Sequence, residues 1–194
     1  MHKVKTIIFI DWDDSLFPTS YYKKNLMNTT ELNKLDNILN TLLTSYQIDN
    51  NIFIVSNASS GWLKKSIELL PKTQDTMIKN NIPVISARDA FIDKYEINNC
   101  KEKTFQVIVK NYDNYNNFNI VSIGDAHYEY IGLIKIDDYL KNTDKKYLLK
   151  NIKFINNPSY EDIINQLKLL NNILNNVITD SNYVDIHMNI DNKN

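Results

Sequence analysis

Four short clusters of polar residues stand where apolar runs stop. Asp11 and Asp13, with Asp14 and Ser15 behind them, follow the run Thr6–Ile10 (TIIFI). Two carboxylates two residues apart, just past a strand end, can divide labour: one enters a site as nucleophile or metal ligand, the other reaches a leaving group as an acid. The same carboxylates also suit the plainer task of ending a strand and capping a turn. Ser56 and Asn57 end a second run, Asn51–Ser56 (NIFIVS). A hydroxyl with adjacent backbone N–H groups can hold a phosphoryl oxygen, and Ser-Asn is equally ordinary turn chemistry. Lys101 and Lys103 open a helical stretch and bring an ammonium towards the strand ends, where it can balance phosphate charge. Gly124, Asp125 and, four residues on, Glu129 follow Phe118–Ile123 (FNIVSI). An acidic residue at each end of one helical turn suits an oxygen-ligand site for magnesium, and the glycine permits a tight turn.

The elements that must position these clusters alternate in period. Besides the three runs above, Ile82–Ser86 (IPVIS) is a weaker strand and Asn151–Ile155 (NIKFI) a fifth. Between them the spacing becomes helical. Leu32, Leu35, Ile38, Leu39, Leu42 and Leu43 make one face, with Thr30 as N-cap. Further helices are expected over 62–70, stopped near Pro71, and over 101–109. The last starts at Ser159, a good N-cap with Glu161 and Asp162 in its first turn, and keeps its period to Val177. Strands alternating with helices predict an α/β domain, a three-layer sandwich with a central, mostly parallel sheet, over residues 1–178. Residues 179–194 read as a polar, loosely held tail. In such sheets ligands bind at the carboxyl ends of strands near a topological switch point, where the polar clusters already lie.

A chain of 194 residues with 43% hydrophobic and 23% charged residues and a net charge of −1 has globular values. It lacks the electrostatic footprint of a nucleic-acid binder. One cysteine, Cys100, excludes an intramolecular disulfide and a Cys-rich zinc site, which suits a reducing compartment, the cytoplasm. No apolar run is long enough to anchor the chain in a membrane. Asn and Lys dominate the polar set and Arg88 is the single arginine, a bias that A/T-rich codons explain.

Taken in order, strand-DxDxS, strand-S, helix-Lys and strand-GDxxxE resemble the haloacid dehalogenase superfamily of phosphotransferases. More narrowly, FIDWDDSLFPTS, SNASSGWLKKSIELLP, ISARDAF, CKEKTF and VSIGDAHYEY resemble a group of haloacid-dehalogenase-like proteins of plants and protists. The resemblance implies a magnesium-dependent phosphatase in which Asp11 attacks phosphorus and carries an aspartyl-phosphate. Asp13 would protonate the leaving oxygen and then activate water, its backbone carbonyl helping to bind magnesium. Ser56 would hold a phosphoryl oxygen and Lys101 neutralise charge, with Trp12 and Asn57 beside the substrate. Mg2+ would be bound through Asp11, Asp13, Asp125 and Glu129, the last through water or by orienting its neighbours.

Three departures qualify the match. Asp14 stands where many members carry glycine and adds a carboxylate beside an anionic substrate. Lys101 is preferred to Lys103 because it begins the phrase K-x-x-x-F, and Glu129 replaces a commoner aspartate. The spacings between motifs, about 35 and about 43 residues, leave no room for a separate lid. Uncapped members often act on large substrates, so an open site and a macromolecular phosphorylated substrate are expected, and near-neutral charge argues against nucleic acid. Two competitors stand beside this reading: the same fold as a non-catalytic binding or structural protein, and a receiver-like phosphoacceptor. The latter needs an aspartate ending a later strand, which Ile82–Ser86 does not supply.

Overall fold

In β1 (Lys5–Ile10) every side chain from Ile7 onward is buried, yet the strand still obeys its period of two. Ile8 and Ile10 enter one hydrophobic cluster, and Ile7 and Phe9 enter a second on the opposite face. A strand covered on both faces shows no polar alternation, which is why the run reads as uniformly apolar. The computed structural model describes residues 4–24, 27–47 and 51–189.

After β1 come a short α1 (Thr19–Lys23) and α2 (Thr29–Tyr46), then β2 (Asn51–Ser56), α3 (Ser60–Glu68) and α4 (Pro71–Lys79). The chain continues through β3 (Val84–Ser86), α5 (Ala87–Phe91), α6 (Ile97–Lys110), β4 (Asn117–Gly124) and α7 (Tyr128–Leu140). It ends with β5 (Lys146–Lys153), α8 (Tyr160–Thr179) and β6 (Val184–His187). The six strands are all parallel, in the order β3-β2-β1-β4-β5-β6. Residues of α2, α3, α4 and α8 cover one face, and those of α6 and α7 cover the other, where Phe9 stacks on Phe105 at 4.0 Å. The expected α/β three-layer sandwich is therefore present, with a wholly parallel sheet. Among the described residues no helix is long and apolar enough to cross a membrane.

Several boundaries differ from expectation, each for a physical reason. α2 is capped by Asn28 rather than Thr30: the Asn28 side chain accepts from the Glu31 amide, and Glu31 accepts from the Asn28 amide, a reciprocal capping box. Pro71 does not merely stop a helix. It occupies the first turn of α4, where its missing N–H costs nothing. α6 begins at Ile97, so Lys101 lies in its second turn rather than at its opening.

β5 starts at Lys146, five residues earlier than expected, and hides a buried lysine. Lys150 Nζ donates to the carbonyls of Val177, Ile178 and Asp180, closing the C-terminal end of α8. The expected loose tail is corrected in part: Thr179 ends α8, and Val184–His187 add a sixth strand beside β5. That short polar run, VDIH, is half-buried at a sheet edge, so its composition hides it. Residues 190–194 of the expected tail lie outside the described residues.

Candidate functional site

After β3 the chain crosses back over the sheet to place β4 on the other side of β1, so the switch point lies between the carboxyl ends of β1 and β4. Ile10 pairs with Ile123, and the Asp11 amide donates to the Ile123 carbonyl at 2.9 Å. This places Asp11, one residue past β1, beside Asp125, one residue past β4. Ser15 joins them. Its Oγ lies 3.1 Å from Asp11 Oδ2 and 3.2 Å from Asp125 Oδ1, and it accepts from the Asp125 amide at 3.1 Å. A hydroxyl has one proton, so it serves only one of the two carboxylates at a time.

Lys101 enters from α6. Its Nζ donates to Asp11 Oδ1 at 2.6 Å and to Glu129 Oε1 at 2.5 Å, with all three side chains almost fully buried. A lysine removed from water needs such partners, and breaking one buried pair typically costs several kcal/mol. Lys103 lies elsewhere, partly exposed, near Glu102 and over the Tyr95 ring, so the geometry selects Lys101. Glu129 also accepts from the Ala126 amide through Oε2, tying the turn after β4 to the lysine. Gly124 is required here for space rather than for a positive φ: a Cβ on it would lie 2.5 Å from Glu129 Cγ.

Asp13 is held by three donors. Thr19 Oγ1 at 2.6 Å and Trp62 Nε1 at 2.7 Å meet Oδ1, and Ser56 Oγ at 2.7 Å meets Oδ2. Ser56 in turn accepts from the Ala58 amide at 2.9 Å. The serine expected to meet a phosphoryl oxygen thus donates to Asp13 and must turn to serve a substrate. Asp14 has the left-handed φ of 54°, the backbone region where glycine is easiest and Asp is tolerated. Its carboxylate accepts from the Ser20 amide at 2.8 Å and from Ser20 Oγ at 2.6 Å, at the start of α1.

These groups line a cavity of about 430 Å³ over the strand ends, open to solvent. Asp11, Asp13, Ser56, Asn57, Lys101 and Asp125 all reach it. Two expected site residues do not. Trp12 is fully buried, donates from Nε1 to Ser66 Oγ at 2.8 Å and stacks near Phe17, so it is a core residue beneath the site. Glu129 lies under the floor, spent on Lys101 and the Ala126 amide. Ser15, Thr19 and Trp62 are the positioning residues that motif reading left without a role. Ser15 and Thr19 lie four and eight residues after Asp11, but Trp62 is 49 residues from Asp13 and only folding brings it near.

The electrostatics follow from burial. Removal from water pushes the Asp11 carboxyl well above the usual carboxylate range despite Lys101, and Glu129 and Asp125 push the same way. Asp125 is pushed up to about 6 by burial and by the charges of Glu129 and Asp14, with Lys101 and Lys153 opposing. Burial pulls Lys101 down, but Asp11 and Glu129 outweigh it and hold the ammonium above its ordinary range. Lys153, from the end of β5, donates to the Asp125 carbonyl; burial lowers it while Asp125, Glu129 and Asp11 pull it back.

Of the four expected magnesium residues, Asp11 and Asp125 offer carboxylates; Asp13, its side chain committed to three donors, offers only its main-chain carbonyl, and Glu129, bonded to Lys101 and the Ala126 amide, is placed to orient its neighbours. Among the described residues no three His, Cys, Asp or Glu side chains converge as ligands. Two carboxylates suit magnesium nonetheless, since it commonly takes one or two from protein and keeps water or substrate phosphate for the rest.

No family model matches the chain, and no curated protein and no solved structure match it. The fold and site define a Rossmann-like α/β protein with an acidic, lysine-bearing pocket at its switch point.

Proposed function

We propose that this chain is a phosphomonoester hydrolase working through Asp11 in a cytoplasmic setting. The observation that carries the reading is the convergence of Lys101 on Asp11 and Glu129 across 90 and 28 residues of sequence, beside Asp125 and an open cavity. The resemblance to haloacid dehalogenase phosphotransferases supports it through the order of the same residues.

Asp11 forms a bond to phosphorus as the bond from phosphorus to the leaving oxygen breaks, and that oxygen takes a proton from Asp13. Asp13, now a carboxylate, takes a proton from water, whose oxygen attacks the acyl phosphate and frees Asp11. Lys101 fixes one Asp11 oxygen and offsets charge gathering at the nucleophile. Ser56 turns from Asp13 to a phosphoryl oxygen. Magnesium, held by Asp11, Asp125 and the Asp13 main-chain carbonyl, would supply charge neutralisation at the phosphoryl oxygens.

A second reading, a binding protein without turnover, draws on the Asp13 carboxylate, whose three donors leave it as an acceptor only. Fluorine NMR with magnesium and beryllium fluoride separates the two. A bound resonance that needs both magnesium and Asp11, and vanishes in Asp11→Asn, is expected of the hydrolase. A folded wild type that binds magnesium yet gives no such resonance favours the binding protein.

A further inference from the structure

The floor and the mouth of the cavity carry opposite charge. Asp11, Asp13, Asp14 and Asp125 lie at the strand ends, while Lys23 from α1 and Arg88 from α5 line the opening. Arg88 is exposed, and among the described residues it makes no salt bridge. Its neighbour Asp89 accepts from the Ser60 amide at 2.6 Å and feels the Arg88 charge without forming an ion pair with it.

The base of Arg88 is fixed against the loop that carries Ser56. Ser86 Oγ donates to the Ala58 carbonyl at 2.6 Å and accepts from the Asp89 amide at 3.0 Å, and with the Ser60 contact this stitches α5 to the turn after β2. Across the opening, Lys23 Nζ lies 5.1 Å from the centre of the Trp62 ring, the ring whose Nε1 holds Asp13. Asp13 is therefore walled by the same tryptophan that Lys23 covers, and a leaving group bound beside it shares the cavity with Lys23 and Arg88. A neutral leaving group gives these cations nothing to bind. An anionic one without them would face the carboxylates of Asp13 and Asp14, with Lys101 already engaged by Asp11 and Glu129.

We propose that the substrate is a phosphomonoester whose leaving group carries a second anionic group, a carboxylate or a second phosphate, engaged by Arg88 with Lys23 beside it. The planar guanidinium fork suits two oxygens of one such group, which an ammonium on a flexible stem does not match. This substrate class rests on the hydrolase reading above and adds no bond-making step to it.

The test compares kcat/KM for phenyl phosphate, 4-carboxyphenyl phosphate and 1,4-phenylene bisphosphate in wild type, Arg88→Ala, Arg88→Lys and Lys23→Ala. Wild type is expected to favour at least one charged ester over phenyl phosphate by about tenfold, and the preferred arm tells carboxylate from phosphate. Arg88→Ala should abolish that ratio, Arg88→Lys should retain part of it, and added salt should shrink it in wild type. Hydrolysis of all three esters with a ratio that Arg88→Ala leaves intact, or with no preference in wild type, overturns the substrate class and leaves the hydrolase reading standing. Hydrolysis of none by wild type overturns both.

Discussion

Trp62 Nε1 donates to Asp13 Oδ1 at 2.7 Å, so an indole on α3 holds the second carboxylate of the first motif. The same ring packs edge-on against Phe17, which fixes its plane. Replacing it by phenylalanine keeps most of the packing and removes the donor. Trp62→Phe is therefore expected to lower kcat for phosphomonoester hydrolysis about tenfold, a fraction of the roughly 10²–10⁴-fold that a positioned acid or base contributes, since Thr19 and Ser56 still hold Asp13. Its magnesium affinity should stay that of wild type, because Asp11 and Asp125 are untouched. Steady-state kinetics with a parallel magnesium titration checks both.

The raised pKa of Asp125 ties stability to pH. An acid whose folded pKa lies above its unfolded value holds its proton more tightly when folded, so its contribution is favourable at low pH and is lost as pH rises. For Asp125 the window runs from its ordinary value near 4 to about 6, and above that the loss is complete. Without divalent cation, Asp125→Asn should match wild type near pH 4 and exceed it at pH 7.5 by roughly 1–3 kcal/mol in urea denaturation. Magnesium should then stabilise wild type more at pH 7.5 than at pH 5, where protons compete for the same oxygens, and should do little for the variant.

How much of this was legible beforehand depends on whether the signal was local. β1, β2, β4 and α8 are runs whose periods and caps stand in the sequence itself, and the phrase K-x-x-x-F points to Lys101, the lysine that meets Asp11. Trp12 was misplaced because its neighbours in sequence are site residues, while its side chain turns under the sheet to Ser66. β6 escaped because half-burial at an edge needs no apolar run, and the start of β5 because Lys150 looks solvated until α8 is in place. The three donors to Asp13 come from α1, β2 and α3, and no spacing rule joins them.

Lys150 offers a test remote from the site. Its ammonium satisfies three carbonyls at the end of α8, in a place where water does not reach. Methionine fills similar volume but donates nothing, so the carbonyls of Val177 and Asp180 lose this donor, while that of Ile178 keeps Asn119 Nδ2 at 2.8 Å. Lys150→Met should destabilise the fold by about 2–4 kcal/mol. Amide exchange should show the loss concentrated in the last turn of α8 and in β6, with the β1 amides affected only through global unfolding.

Gly124 and Glu129 form a steric pair that a double substitution can expose. A Cβ at 124 would lie 2.5 Å from Glu129 Cγ and 2.6 Å from Cδ, so Gly124→Ala must push the glutamate off Lys101. That leaves a buried carboxylate and a buried ammonium mismatched, and a loss of about 2–4 kcal/mol is expected together with most of the activity. Truncating Glu129 to alanine removes the Cγ, Cδ and Oε2 that collide. Gly124→Ala should therefore cost less in a Glu129→Ala background than in wild type, giving a coupling energy of about 1 kcal/mol or more in a double-mutant cycle. Additive losses from the two substitutions would show that the glycine does not make room for the acid that positions Lys101.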